Sequence, residues 1–326
     1  MNRFPNLGWI FYRKAFDLPD INLFGKDEKQ FTESERKALK KHQEDISSEL
    51  LERPTLEPGS PWQDYLNSLQ VSAANHTFTL VTTYPGLLIG AGYSHEAGLF
   101  GEFKLGFYFD HTTGLPVIPG SSIKGALRSA FPNSGEIRDE NKAEFILSLL
   151  EQVNAEMDAS DQNSSGESVS VKQIDKDQID DLEYEIFEGK KRNKDKPTEW
   201  EVFQNIYQRD IFYDAFIIES HHTRPDGRRG HILGNDYITP HKHTGNPRKP
   251  ELDPFSDPIP LQFLKVLPEV TFCFQFKLHD GIISAGQKRE LFKKILLTLG
   301  VGAKTNVGYG QFRESSKTVD CQRAAK

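Results

Sequence analysis

Apolar residues recur along this chain with two spacings. TFTLVTTY, from Thr77 to Tyr84, puts Phe78, Leu80, Thr82 and Tyr84 on one side, the two-residue period of a strand. GEFKLGFYFD, the turn HTTG and LPVI predict a second strand and a short third one. In PGSSIKGALRSAF the period changes: Ile123, Ala126, Leu127, Ala130 and Phe131 fall on one helical face, with Ser121 or Ser122 as N-cap and Pro132 as the stop. Strand patterns return in RDIFYDAFIIE from Arg209, in LQFLKVL and in TFCFQFKL, where Phe272, Phe274 and Phe276 alternate strictly. QKRELFKKILLTLG then lines up Leu291, Phe292, Ile295, Leu296 and Leu299 as a second helical stripe, and Gln311 and Phe312 open a last strand. Ahead of all this, a helix is predicted from about Thr32 to Leu51, broken by Pro54, Pro58 and Pro61.

Strand, strands, helix, then strands, helix, strand is the order of two βαβ-like halves. With antiparallel pairing it predicts an α+β fold of ferredoxin-like type. Residues 133–204 interrupt it with 19 Asp and Glu against 9 Lys and Arg and with the low-complexity run MDASDQNSSGES. They are read as a long acidic insertion, partly helical and partly flexible. The chain therefore divides into an N-terminal extension, 1–76, and one domain, 77–326. The net charge of −7 resides mostly in the insertion, since residues 205–326 hold 13 acids against 18 bases, compatible with a local basic surface. Two cysteines and no long apolar run predict a cytoplasmic, reduced protein without a membrane segment.

GVGAKTNVGYGQF, from Gly300 to Phe312, follows the second helix. Gly300 suits a left-handed helix stop, but one glycine suffices for that. Missing Cβ atoms also let a phosphate backbone approach peptide N–H groups, with Lys304, Thr305 and Asn306 adding donors. The bland reading is a tight connection with bulges. A nucleotide-triphosphate loop is excluded: Thr298 stands where its first glycine belongs, and the order is helix, loop, strand.

GLPVIPGSSIKGALRSAF and GVGAKTNVGYGQF resemble the two signature blocks of the RAMP superfamily of CRISPR RNA-binding proteins. NLGWIFYRKAF, IFYDAF, NDYITPHKHTGNP and DPIPLQFLKVLPEVTFCFQF resemble, more narrowly, the sixth subunit of type III-B Cmr effector complexes. The resemblance implies an RRM-related fold without catalysis or cofactor of its own, near the 3′ part of the guide RNA. The implied partners are guide and target RNA, the repeated backbone RAMP subunit, the small helical subunit and the other head RAMP subunit. It implies RNA contacts at Ser121, Ser122, Lys124 and Arg128 in the first block and at Gly302, Lys304, Thr305, Asn306, Gly308 and Tyr309 in the second. Tyr309 is equally suited to stacking on a base or to filling the core. It also implies a thumb-like hairpin at about 221–260, with Arg224, Arg228, Arg229, Lys242, His243, Arg248 and Lys249 supplying polar contacts.

Two enzymatic readings stand beside this one. Some RAMP relatives cleave guide precursors with a histidine, and His95 and His111 lie in the corresponding region. Ser121 and Lys124 form S-x-x-K, as in serine acyl-enzymes, but no S-D-N element accompanies them. His221, His222, His231, His241 and His243 crowd within 23 positions without a C-x-x-C or a zinc spacing, so no metal site is expected.

Overall fold

A computed structural model describes residues 6–14, 30–52, 56–57, 73–89, 104–161, 172–192, 200–201, 204–238, 243–244, 251–252 and 261–315. Ten of its strands matter here: β1 (His76–Thr82), β2 (Lys104–Leu105), β3 (Tyr108–Phe109), β4 (Pro116–Ile118), β5 (Ile211–Phe212), β6 (Ala215–Ser220), β7 (Leu233–Ile238), β8 (Leu261–Val266), β9 (Val270–Lys277) and β10 (Phe312–Glu314). The main sheet runs β10-β1-β9-β6-β4-β3, with β5 also paired to β9, and every pairing is antiparallel. The helix α3 (Gly120–Ser129) comes after β1 to β4, and α6 (Ala285–Leu299) directly after β9. Since β9 lies between β1 and β6, and β1 between β9 and β10, the chain forms two split βαβ units, the expected ferredoxin-like α+β fold.

The phenylalanine alternation builds the core. In register, Phe274 faces Phe78 and Phe272 faces Leu80. The Phe78 ring stacks on Phe274 and Phe276 at 5.3 and 5.5 Å, and Phe212 and Phe292 reach Phe276 at 5.8 and 5.5 Å. Each of the fully buried rings, Phe274, Phe276 and Phe292, contributes about 1.5–3 kcal/mol. Three readings need correction. The strand from Arg209 is two strands, because Tyr213 and Asp214 break out between β5 and β6. Tyr84 does not share the face of Leu80, because β1 ends at Thr82. Leu299, the last residue of α6, is exposed, while Leu291, Phe292, Ile295 and Leu296 are buried as the period demands.

The first half of the acidic stretch is a layer of the core. In α4 (Glu140–Asp161), Ala143, Ile146, Leu150 and Val153 are buried, and Asn154 receives a bond from Gln287 of α6 at 2.7 Å. The helix α5 (Gln178–Glu183) runs into a π-helical turn, Tyr184–Glu188, that buries Ile186 and Phe187 and ends at left-handed Gly189. A buried ion-pair seam fixes this turn: the Lys288 ammonium lies 3.0 Å from Glu185 Oε1 and 2.8 Å from Asp210 Oδ2, and donates to the His279 carbonyl at 2.9 Å. All three side chains are at most 4% exposed. Burial pushes the Asp210 carboxyl above its usual range, outweighing the pull of Lys288. At the N-terminus, α1 (Leu7–Tyr12) and α2 (Glu33–Glu52) contribute Leu7, Ile10, Ile46 and Leu50 to the same cluster.

The strands β7 and β8 form an antiparallel hairpin, Leu233 opposite Val266 to Ile238 opposite Leu261, and β2 joins β8 in parallel. Farther out, His243–Thr244 pairs with Glu251–Leu252. Among the described residues no helix is long and apolar enough to cross a membrane.

Candidate nucleic-acid interface

The chain between α6 and β10 is closed largely by its own backbone. Gly300 ends the helix at φ 73° and ψ −172°, an extended mirror-image conformation rather than the predicted left-handed one, and equally a glycine property. Val301 N–H donates to the Gly310 carbonyl (2.9 Å), Ala303 N–H to Leu88 (2.7 Å) and Gly310 N–H to Gly86 (2.8 Å). A Cβ on Gly302, at φ +104°, would run into the Leu88 carbonyl, and one on Gly310 into that of Val301. The bulge reading therefore accounts for Gly300, Gly302 and Gly310.

It does not account for what the loop leaves over. Lys304, exposed and left-handed at φ 59°, begins a short turn through Thr305, Asn306 and Val307. Among the described residues the N–H groups of Gly302, Lys304, Thr305 and Asn306 have no acceptor, and Lys304 Nζ has no acidic partner. A left-handed residue followed by helical ones points successive N–H groups the same way, the concavity that backbone offers to anions. Gly308, at φ +95°, sits beside Pro85, its Cβ position 3.3 Å from Pro85 Cδ.

Tyr309 is held by contacts within the fold. Its hydroxyl donates to Asp236 Oδ2 on β7 at 2.5 Å, its ring lies 6.4 Å from that of Phe263, and Lys265 Nζ stands 5.7 Å over it. Burial first, then the bond to Asp236, raises the pKa of the phenol well above its usual value. Burial works to raise that of Asp236 too, but the bonds from Lys265 (2.6 Å) and Tyr309 outweigh it and keep the carboxylate below its usual range.

The start of α3 is built differently. Its N-cap is Pro119, and Ser121 and Ser122 are already helical, so neither serine caps. The cap comes from Asp214, in the break between β5 and β6, whose Oδ1 accepts the Gly120 N–H at 2.7 Å. A carboxylate thus occupies the positive end of the helix. Lys124 leans over the Phe212 ring at 5.8 Å, and Arg128 is paired with Glu188 at 2.8 Å.

The other end of α3 meets the loop. A cleft of about 520 Å³ opens between Ala126 and Ser129 of α3, Lys142 and Phe145 of α4, and Val301 and Thr305. Lys142 Nζ donates to Ser134 Oγ at 2.8 Å. Gly125, one turn before Ser129, is exposed, and a Cβ there would meet nothing within 4 Å. A mid-helix glycine costs about 1 kcal/mol relative to alanine, and here no packing requires it. Lys142 and Gly125 were not among the sequence-derived candidates. The signal for Gly125 was its place inside the apolar period; Lys142 gave none, since it lies in the acidic stretch.

Thr223–Arg229 is a tight turn, bridged between its ends, from which the chain returns to buried Ile232 and Leu233. Arg228 chelates Asp226 Oδ2 (2.6 and 2.8 Å), which holds that carboxylate down at about 2. Arg224 and Arg229 have no acidic partner among the described residues. Lys242, Arg248, Lys249, His95 and His241 lie outside the described residues, as does the His243 side chain. His111 is exposed next to Asp110, whose Oδ2 accepts the Thr112 and Thr113 N–H groups. His221 contacts Glu219 at 3.1 Å, and buried His231 places Nδ1 3.1 Å from the Leu51 carbonyl. Burial lowers the pKa of His222 and His231, favouring neutral rings. Among the described residues no three His, Cys, Asp or Glu side chains group as metal ligands.

The sequence model of the RAMP superfamily matches residues 79–313, which include most of β1, α3, the glycine loop and most of β10. No curated protein matches the chain. Among solved structures, a chain of the type III-B Cmr-beta complex bound to cognate target RNA is similar at 22% identity over 88% of this chain and 76% of its own, with a TM-score of 0.48. Cmr6 from Pyrococcus furiosus is similar at 20% identity over 76% of this chain and 100% of its own, with a TM-score of 0.36. A chain of a type III-A Csm–crRNA–target RNA ternary complex is similar at 15% identity over 61% and 50%, with a TM-score of 0.23.

Proposed function

The chain belongs to the RAMP superfamily, and on that premise we propose that it is a non-catalytic RNA-binding subunit of a type III-B CRISPR ribonucleoprotein. In this reading it corresponds to the sixth Cmr subunit, caps the protein backbone near the 3′ part of the guide, and helps hold guide and target RNA. The observation that carries the RNA contact is the row of N–H groups at Gly302, Lys304, Thr305 and Asn306, beside an unpaired Lys304. Donors without acceptors next to a free cation suit a phosphodiester better than any neutral ligand. The cleft toward Ser129 and Lys142 continues that surface, and Gly125 leaves the face of α3 low enough for a backbone to pass. The sixth-subunit assignment rests on the sequence blocks at Asn6, at IFYDAF and at DPIPLQFLKVLPEVTFCFQF.

Phosphate contacts make affinity fall steeply with salt. Lys304→Ala should lessen the slope of log affinity against log salt by about one unit, with thermal unfolding unchanged. An unchanged slope removes Lys304 as a phosphate contact. Crosslinking the assembled complex to its guide should give adducts in residues 120–129 and 300–310 near the guide's 3′ part. Adducts confined to residues 224–249 would overturn the loop as the contact. Repeat RNA incubated with the isolated chain should remain intact, as a protein without catalysis requires.

A further inference from the structure

Tyr84 stands where β1 leaves the sheet, and its side chain is 84% exposed. Single exposed aromatics are common on protein surfaces and by themselves say little. This one differs in how firmly its backbone is held. On one side, the Thr83 N–H and hydroxyl both donate to the Gln311 carbonyl, at 3.0 and 3.1 Å. On the other, the Gly86 carbonyl accepts Gly310 N–H, and Leu87 exchanges two bonds with Val266 at 2.9 and 3.1 Å. The turn between these clamps lies against the glycine loop, with the Cβ position of Gly308 3.3 Å from Pro85 Cδ and 3.8 Å from the Tyr84 carbonyl. The Tyr84 hydroxyl makes no hydrogen bond among the described residues, though it lies within electrostatic reach of the Tyr309 phenol, and Val307, 62% exposed, adds a second apolar side chain at the rim.

An aromatic ring on a fixed backbone that abuts Gly308, in the same loop as the unpaired N–H groups and the free Lys304, combines a stacking face with an anion-binding edge. We propose that Tyr84 is a base-stacking platform for one nucleotide of a single-stranded RNA whose sugar–phosphate backbone crosses the loop at Gly302–Asn306. The inference rests on the RNA-binding reading and adds a residue and a chemical class to it: the ligand is unpaired there, because stacking on a side chain needs a base free of its neighbour on one face. An apolar protein surface would explain the exposed ring but leaves the N–H groups and Lys304 without acceptors, where unpaired donors are costly.

The test uses the full chain and a single-stranded oligouridylate of about ten nucleotides carrying one fluorescent purine analogue whose emission falls on stacking. Tyr84→Ala should bind roughly five- to 150-fold more weakly and abolish the quenching, while Tyr84→Phe, which keeps the ring, should retain both. The salt slope should stay as in the wild type, unlike that of Lys304→Ala, because no phosphate contact is lost. Wild-type affinity in Tyr84→Ala, or an equal loss in Tyr84→Phe, overturns the platform. So does a Tyr84→Ala chain that binds RNA normally but fails to enter the complex, which would make Tyr84 a protein contact. If Lys304→Ala changes the slope while Tyr84→Ala changes nothing, only this inference fails. If the wild-type chain binds no oligonucleotide, the RNA reading fails with it.

Discussion

At the start of α3, a helix end whose N–H groups would draw an anion is already met by the Asp214 carboxylate; in the glycine loop, the chain satisfies some of its own donors and leaves four unmet. Both stretches look alike on paper: small residues, hydroxyls and a lysine at a helix boundary. What separates them is the neighbour. Asp214 comes from a break in the adjacent strand, whereas the glycine loop is bordered by Gly86, Leu88 and Gly310 carbonyls that reach only some of its N–H groups. Availability of backbone donors is a property of packing, and glycine count measures only how tightly a loop can close.

The contrast can be broken at four points. The largest effect is expected from Gly302→Ala, which adds a left-handed strain to a collision with the Leu88 carbonyl and should cost at least about 2 kcal/mol in thermal unfolding. If it unfolds like the wild type, the loop is looser than its bonds imply and its free donors have no fixed direction. Asp214→Ala comes next: loss of the cap should destabilise by about 1 kcal/mol, while the salt slope for RNA stays unchanged. A steeper slope would mean that the helix start, once uncovered, takes a phosphate after all, and the two regions would then be equivalent. Gly125→Ala is expected to act with opposite signs on two readouts, raising stability by roughly 0.5–1 kcal/mol and weakening RNA binding by narrowing the approach to the cleft. Stabilisation without a binding defect would remove α3 from the interface. The smallest change belongs to Arg128→Ala, which loses a partly exposed pair with Glu188 worth about 0–1 kcal/mol and should leave RNA affinity where it was.

Much of the fold was legible. Strict alternation at Phe272, Phe274 and Phe276 marks a strand covered on its aromatic face, and the stripe from Leu291 to Leu296 marks the helix that covers it. The apolar period of α4 was equally present at Ala143, Ile146, Leu150 and Val153, but its exposed positions are so acidic that composition outweighed pattern and the segment read as an appendage. The site was legible only in part. That Gly300–Tyr309 would form a close loop follows from its glycines. Which of its N–H groups remain free depends on carbonyls more than 200 positions earlier, at Gly86 and Leu88. Asp214 reaches Gly120 across a separation of 94 residues, so no local rule could have replaced the predicted serine cap. Tyr84 was misplaced by a single strand boundary: continuing the alternation two residues past Thr82 turns an exposed ring into a buried one.

The Lys288 seam determines where this protein tolerates editing of its length. Its ammonium needs Glu185 on one side and Asp210 on the other, and withdrawing one partner from a buried pair costs about 3–5 kcal/mol. Lys172 is anchored nearby, its carbonyl accepting from the Gln287 amide at 2.9 Å and its ammonium donating to the Gly281 carbonyl at 2.7 Å. A deletion that removes Glu185 or Asp210 therefore strands a charge in the interior. The seam holds α6 near its start, at Lys288, while Gly300 closes its far end, so the turn at Tyr184–Glu188 and the glycine loop are set from opposite ends of one helix.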